Sequence, residues 1–154
     1  MRLTVTGGAG FIGSAFVRMV LGADPAAQVT VVDKLTYAGN LDNLQPVAKH
    51  PGYRFVQGDI CDPQAVAEAL SPLPDALVHF AAESHVDRSI LSPAPVFETN
   101  LRGTFTLLEA VRMQKIPRYV HVSTDEVYGS IEEPHDADES YPLHASSPYS
   151  ASKA

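Results

Sequence analysis

The stretch Leu3-Thr4-Val5-Thr6-Gly7-Gly8-Ala9-Gly10-Phe11-Ile12-Gly13 decides how the chain is read. A short strand-forming run, Leu3 to Val5, enters a turn with three glycines among four residues. Behind it Ile12, Ala15, Phe16, Met19 and Val20 recur at helical spacing, and Gly22 stands where that helix is expected to stop. Strand, glycine turn and helix in that order are the context a dinucleotide fingerprint requires. The glycines fit two spacings, Gly8/Gly10/Gly13 and Gly7/Gly10/Gly13. In either, the first permits the tight turn, the middle one lets backbone approach a pyrophosphate, and the last lets helix and strand pack closely. The helix opening at Phe11 and Ile12 offers free N–H groups and a positive dipole end to phosphates. A glycine-rich turn with no ligand would carry the same letters.

Twenty positions beyond Gly13, Asp33 ends a second β-type run, Val29 to Val32. A carboxylate there can accept hydrogen bonds from an adenosine ribose and would repel a 2′-phosphate, which predicts NAD rather than NADP. On its own it reads equally as a solvated strand-end carboxylate. Three more runs follow, Tyr53–Val56, Ala76–Phe80 and Tyr119–Val122. Between them, Asp62-Pro63 reads as the cap and first turn of a helix carrying Val66, Ala69 and Leu70. Val96 to Met113 is the longest helical candidate, with Phe97, Leu101, Phe105, Leu108 and Val111 as its apolar stripe. Five strands alternating with helices predict an α/β fold, a Rossmann-like, doubly wound parallel sheet covered on both faces. Gly58-Asp59-Ile60 and Phe80-Ala81-Ala82 then fall in loops at the carboxyl ends of strands, where small residues would let a cofactor near the backbone. Gly129 to Pro148, rich in acidic residues, Ser, His and Pro, reads as a long exposed loop.

The 154 residues are 45% hydrophobic and 19% charged, which suits one globular domain, 1–154, binding NAD. Eleven Lys and Arg against eighteen Asp and Glu give a net charge of -7, with no basic run, so nucleic acid and anionic membrane are poor partners. The single cysteine, Cys61, excludes an internal disulfide and leaves no metal-binding cysteine cluster, so no metal is expected and a reducing cytoplasm suits the chain. His79 and His121 read as core or core-edge residues, and His135, Asp136, Asp138 and Glu139 as a solvated loop. The glycines in the apolar N-terminal run argue against a secretory signal, and no run is long enough to span a membrane. The last helix has barely begun at Ala154, so a fragment is expected, cut before a C-terminal substrate domain.

Tyr149 and Lys153 stand four apart and share one face if a helix begins there. Such a pair is common on surfaces. Following the glycine fingerprint and five strand-helix repeats, it resembles the extended short-chain dehydrogenases/reductases. A free Tyr, with a pKa of about 10, is a weak base at neutral pH, and in that chemistry a nearby ammonium and a positive nicotinamide favour the phenolate. Thr124-Asp125-Glu126-Val127-Tyr128-Gly129 is similar to the sequence of nucleoside-diphosphate-sugar 4,6-dehydratases, most closely those acting on dTDP-glucose. Two further stretches resemble the same family: Asp33-Lys34-Leu35-Thr36-Tyr37-Ala38-Gly39-Asn40, and Ala81 to Ser89 with the sequence Ala-Ala-Glu-Ser-His-Val-Asp-Arg-Ser. The resemblance runs from Arg2 to Ala154, and members of the family are about twice this long.

What the resemblance implies is a lyase of deoxysugar biosynthesis that oxidises the sugar C4 hydroxyl, eliminates water across C5 and C6, and reduces C6. Tyr149 would be the base at the C4 hydroxyl, with Lys153 beside it binding ribose. Glu126 would take the C5 proton and a protonated Asp125 would protonate the departing C6 hydroxyl, their pKa values pushed apart by adjacency and burial. Thr124 would bond the C4 oxygen and Ser84 would touch substrate. The cofactor-binding set is Gly7, Gly10, Phe11, Ile12, Gly13, Asp33, Lys34, Leu35, Thr36, Asp59, Ile60, Phe80, Ala81, Ala82, Ser84, Thr99, Tyr149 and Lys153. The parent would be a homodimer taking a nucleoside-diphosphate sugar, dTDP- or UDP-linked, and the 154-residue chain alone would be inactive. A UDP-sugar epimerase or decarboxylase, a UDP-glucose 4,6-dehydratase and a non-catalytic dinucleotide-binding module are the competing readings. Apart from their context, Asp125 and Glu126 read as exposed loop carboxylates, Thr99 as a satisfied helix residue, and Arg88 as a surface ion pair or a diphosphate contact.

Overall fold

Five short strands form one parallel sheet in the computed structural model, which describes residues 1–154. They are β1 (Arg2–Thr6), β2 (Gln28–Asp33), β3 (Tyr53–Gln57), β4 (Ala76–His79) and β5 (Tyr119–His121), ordered β3-β2-β1-β4-β5. This is the Rossmann-like sheet expected, with strand ends within a residue or two of the sequence reading. The register pairs Thr6 with both Val32 and His79, Asp33 with Gln57, and His79 with His121, so the carboxyl ends lie nearly level. Chain order reverses between β1 and β4, the switch point beside which open parallel sheets take their ligands.

Helix α1 (Phe11–Ala23) follows the glycine turn. Its buried residues are Gly13, Ser14, Val17 and Leu21, with Phe16 and Val20 packed partly against them. Ile12, Ala15 and Met19 are exposed, so only Phe16 and Val20 of the expected stripe turn inward. Small Gly13 and Ser14 let the helix sit close to the sheet, and a reading keyed to large apolar residues passes over them. Nor does Gly22 end the helix, which continues to Ala23 with Asp24 as its C-cap. A 3-10 helix, Leu41–Val47, buries Leu44 and Val47 and has no counterpart in the sequence reading. Helix α2 (Pro63–Ala69) begins as expected: Asp62 accepts a hydrogen bond from the Gln64 N–H, Pro63 occupies the first turn, and Val66, Ala69 and Leu70 are buried.

The long helix is three segments: α3 (Val86–Leu91) precedes it, then come α4 (Ala94–Val96), a π-helical stretch Phe97–Gly103, and α5 (Thr104–Gln114). Here the expected stripe is reversed. Phe97, Leu101, Phe105 and Leu108 are exposed, while Val96, Asn100, Gly103 and Leu107 are buried. The sequence carries two helical stripes one residue apart, and the inward one holds a glycine: a Cβ at Gly103 would lie 2.5 Å from the Ile60 side chain. Val111 alone of the expected set packs inward, against the Ile60/Leu107 cluster. Gly129 to Ser147 holds no regular element, as expected. Its stem is fastened, since the His144 N–H donates to the Val127 carbonyl (2.9 Å) and Gly129 packs onto the His144 carbonyl. Helix α6 (Pro148–Lys153) starts at a capping box between Ser147 and Ser150. No helix is long and apolar enough to cross a membrane.

Packing separates the chain into two compact units, Met1–Ala81 with Gly103–Val122, and Ala82–Arg102 with Ser123–Ala154. All three apolar clusters belong to the first, the largest around Val5, Val17, Val29, Val31 and Leu44 and the second around Leu77 and Leu107. The second unit buries Val96 and Val127 together with polar Ser89, Asn100, Ser150 and Lys153.

Candidate functional site

In the first unit the glycine loop resolves the ambiguity of spacing. Gly7 has a φ of +67° and its N–H donates to the Val32 carbonyl (2.9 Å). A Cβ there would lie 2.5 Å from the Ala81 nitrogen, and one on Gly13 would collide with the Gly7 carbonyl. Gly7/Gly10/Gly13 is therefore the working triplet. At Gly10, the N-cap of α1, a Cβ would lie 3.3 Å from the Gly7 carbonyl, a tight contact that favours glycine there. No side chain caps the first turn of α1, and Phe11 beside it is 90% exposed. An uncapped, glycine-lined helix start fits a pyrophosphate.

The peptide of Ala9, itself buried, is gripped from outside the loop. Its N–H donates to Asp33 Oδ2 (3.0 Å), and its carbonyl accepts from the Asn40 N–H (3.0 Å) and from Asn43 Nδ2 (2.9 Å). Asp33 Oδ1 accepts in addition from the N–H of Leu35 (2.9 Å), whose φ of 58° folds the following loop back. The carboxylate is thus held at the end of β2, with lone pairs left for ribose hydroxyls. Asn40 ends the Asp33–Asn40 stretch that resembles the dehydratases, whereas Asn43 has no motif spacing of its own and nothing in the residue pattern distinguishes it from a loop polar.

At the end of β3, Asp59 Oδ1 accepts from the Cys61 N–H (2.9 Å) and Oδ2 pairs with Lys34 Nζ (2.6 Å). Burial pushes this carboxyl up, but the hydrogen bonds from Lys34 and Cys61 outweigh it, and its pKa lies below the ordinary value. Ile60 is buried, Thr36 is exposed, and Phe80 packs on Phe16 with ring centroids 5.4 Å apart. The Ala81 N–H donates to Thr6 Oγ1 (3.2 Å), which also bonds His79 Nδ1 (2.6 Å), while His79 Nε2 meets Thr104 Oγ1 (3.1 Å). His79 is a core residue, as expected, and His121 lies half-buried beside it, the ring centroids 5.1 Å apart and the planes tilted by 52°. Cys61 is half-buried, and no group of three or more His, Cys, Asp and Glu converges on a metal-sized space. Gly7, Gly10, Phe11, Ile12, Gly13, Asp33, Lys34, Leu35, Thr36, Asp59, Ile60, Phe80 and Ala81 all lie at or just past the carboxyl ends of β1 to β4.

The remaining candidates belong to the second unit. Thr124 caps a 3-10 turn, Asp125–Tyr128: its Oγ1 accepts from the Glu126 N–H (3.3 Å) and donates to Asp125 Oδ1 (3.2 Å). The same hydroxyl lies in hydrogen-bond reach of the Tyr149 phenol. Tyr149 opens α6, its N–H donating to Oγ of fully buried Ser89 (3.3 Å), and Ser123 Oγ donates to the Lys153 carbonyl (2.9 Å). Burial raises the Tyr149 pKa, the Thr124 hydrogen bond opposes this, and the charges of Glu126 and Asp125 raise it further. The phenol therefore sits above its ordinary value, the reverse of the lowering expected from Lys153. Lys153 is only 7% exposed, and burial lowers its ammonium pKa. Asp125 and Glu126 are exposed, so the burial expected to drive their pKa values apart is not found.

Ser84 is exposed in the loop before α3, Thr99 is half-buried on the π-helical stretch, and neither is among the hydrogen-bonded partners of Tyr149. Arg88 is exposed on α3. His135, Asp136 and Glu139 are exposed, and Asp138 is engaged in a surface turn with Ser140. Asn100, the neighbour of Thr99, joins two segments of the unit. Its Oδ1 accepts from the Glu83 N–H (2.8 Å), and its Nδ2 donates to the Glu83 carbonyl (3.0 Å) and to Ser152 Oγ (2.8 Å), tying the loop before α3 to α6. Its signal was its place on the inward stripe between Val96 and Leu107.

A dTDP-glucose 4,6-dehydratase of Streptomyces niveus is 56% identical over 159 residues, covering all of this chain and 46% of that protein. Among solved structures, a dTDP-glucose 4,6-dehydratase of Streptomyces venezuelae with NAD bound superposes with a TM-score of 0.93 at 56% identity, covering 99% of this chain and 48% of that one. A UDP-glucose 4-epimerase of Thermus thermophilus in complex with NAD gives 0.88 at 38% identity, covering 99% and 47%. The chain spans about half the length of the curated relatives it matches. The family model of GDP-mannose 4,6 dehydratase accounts for residues 4–154, nearly the whole chain, and to that family the chain belongs.

Proposed function

We propose that the complete protein carrying this chain is a NAD-dependent lyase that converts a nucleoside-diphosphate glucose, dTDP-glucose foremost, to its 4-keto-6-deoxy product. The observation that carries this reading is that α6 packs within one unit against the Asp125–Tyr128 turn, which sets Thr124, Asp125 and Glu126 near Tyr149. Bound NAD would supply the oxidant at C4 and the reductant at C6. The uncapped start of α1, with Gly7, Gly10, Phe11, Ile12 and Gly13, would take its pyrophosphate, and Asp33 would take a ribose.

Thr124 holds the C4 oxygen by its hydroxyl while Tyr149 takes the C4 hydroxyl proton. Its raised pKa makes it a strong base once deprotonated and a poor one at rest, so proton removal would be favoured only with the positive charge of an oxidised nicotinamide near it. Glu126 then removes the C5 proton, acidified by the adjacent ketone, and Asp125 protonates the leaving C6 hydroxyl. Because both carboxylates are exposed in this chain, their separation into acid and base would depend on substrate excluding water from them. Lys153, buried in α6, would bind ribose, and Ala82, Ser84 and Thr99 would complete the cofactor and substrate contacts.

An epimerase also oxidises C4, and the epimerase similarity makes that the second reading. It gives no work to two carboxyls beside Tyr149. Exposed Phe97 and Leu101, with Phe105 and Leu108 farther along the helix, support a homodimer that covers them. A cytoplasmic setting agrees with a single cysteine that forms no disulfide.

The test is turnover of dTDP-glucose by the complete protein. The expected product is the 4-keto-6-deoxy sugar with no net NADH, and in Glu126→Gln solvent deuterium should cease to enter C5. A C4 epimer, or stoichiometric NADH, overturns the dehydratase reading.

A further inference from the structure

Lys34 follows the ribose-facing Asp33 directly in sequence, and it is the only basic residue between Arg18 and Lys49. Arg18 is spent on the Asn43 carbonyl (2.5 Å). A cation one residue from a ribose acceptor is where a 2′-phosphate would find its counter-charge, so Lys34 alone would favour NADP and work against Asp33. Its ammonium does not stand free, however. It is drawn to Asp59 Oδ2 at 2.6 Å, across the carboxyl ends of β2 and β3. The backbone makes that reach short: Asp33 pairs with Gln57, and the Gly58 N–H donates to the Asp33 carbonyl (3.1 Å), which sets Asp59 beside the β2 end. Asp59 is itself oriented by the Cys61 N–H, so the carboxylate is aimed before any ligand arrives.

From this juxtaposition we infer that Asp59 is a cofactor-specificity residue, engaging Lys34 so that the β2 end presents net negative charge to the adenosine ribose. Discrimination against a 2′-phosphate then has two parts. Asp33 repels it, and Asp59 withholds the cation that would compensate. The inference rests on the NAD-binding reading above. It assigns to Asp59 a role through Lys34, separate from any contact of Asp59 with the adenine, which NAD and NADP share.

The ratio of NADP to NAD affinity isolates that role, because an effect on the shared adenine cancels. Both ligands are titrated calorimetrically into the same preparation of the complete protein at low ionic strength. Asp59→Asn keeps an oxygen for the Cys61 N–H and releases Lys34, and the ratio should move toward NADP about fivefold, the scale of one partly exposed charge pair. Adding Lys34→Met to Asp59→Asn should return the ratio to within about twofold of wild type, and Lys34→Met alone should shift it less than twofold. In 0.5 M salt the fivefold shift should shrink, because these charges are screened. An unchanged ratio in Asp59→Asn, with NAD still bound tightly, overturns the specificity role and leaves the NAD reading standing. A shift that survives in the double variant also overturns it, because Lys34 would not be its carrier. Wild-type protein that binds neither nucleotide overturns both.

Discussion

The two units of this chain are built on opposite principles. Around the sheet, stability comes from apolar clusters, with Val5, Val17, Val31 and Leu77 fully or almost fully buried. In Ala82–Arg102 with Ser123–Ala154, the buried side chains are chiefly Ser89, Asn100, Ser150 and Lys153, and their hydrogen bonds do what methyl groups do in the other unit. An apolar core tolerates loss in proportion to volume, whereas a polar one fails by leaving donors and acceptors unmatched. The second unit also carries Thr124, Tyr149 and Lys153, so the residues proposed for the chemistry stand where packing is least forgiving of a misplaced proton.

Truncating the centre of the sheet should have the largest effect. Leu77→Ala empties a fully buried position between β1 and β5 and should cost about 3 kcal/mol in denaturant unfolding. A loss below about 1 kcal/mol would mean that the cluster collapses onto the gap and that the contrast between the units is overdrawn. Next comes Asn100→Ala, which strands the Glu83 N–H and carbonyl and should cost roughly 2 kcal/mol. Its signature is local: amide exchange should quicken at Glu83 and through α6 while amides of β1, β2 and β4 stay protected. Uniform acceleration would show that the polar unit has no separate stability.

Lys153→Met sharpens the comparison from the other side. Burial lowers the folded pKa of Lys153 below its unfolded value, so the native state is penalised for holding the charge at neutral pH, and that penalty fades as pH rises through the folded pKa toward the unfolded one. The variant lacks this penalty, so its stability relative to wild type should be greatest near neutral pH, with any gain shrinking in alkaline melts. A gain independent of pH would assign it to packing. The smallest effect is electrostatic: Glu126→Gln removes one charge that raises the Tyr149 pKa, and ultraviolet titration of the phenol should show its pKa moving down.

This contrast also explains what could be read before the structure. Strands, the Asp62-Pro63 helix start and the glycine loop announce themselves because β-branched runs, caps and close-packed glycines are each tied to one local geometry. The long helix misleads because size decides a reading of its stripes, and the inward stripe is the smaller one, with Asn100 and Gly103 in place of Leu101 and Phe105. The candidate site is legible through Thr124, Asp125, Glu126, Tyr149 and Lys153 as letters, but not through their surroundings. The exposure of the two carboxylates and the upward shift of Tyr149 depend on contacts between segments distant in sequence. Asn43, which grips the carbonyl of Ala9, is silent in the sequence for the same reason.

The fastened stem between Val127 and His144 bears on how this chain can be altered over evolution or by engineering. Closing a longer loop on a stem already joined costs only about 0.6 kcal/mol for each doubling of its length. Residues 130–143 are therefore a splice point: an insertion between Asp136 and Asp138, even one that doubled the segment, would be anchored at the His144 N–H before any change in length reached Thr124 or Tyr149. Homologues can diverge in that stretch, and a fluorophore or affinity tag can be carried there, without the chemistry being retuned.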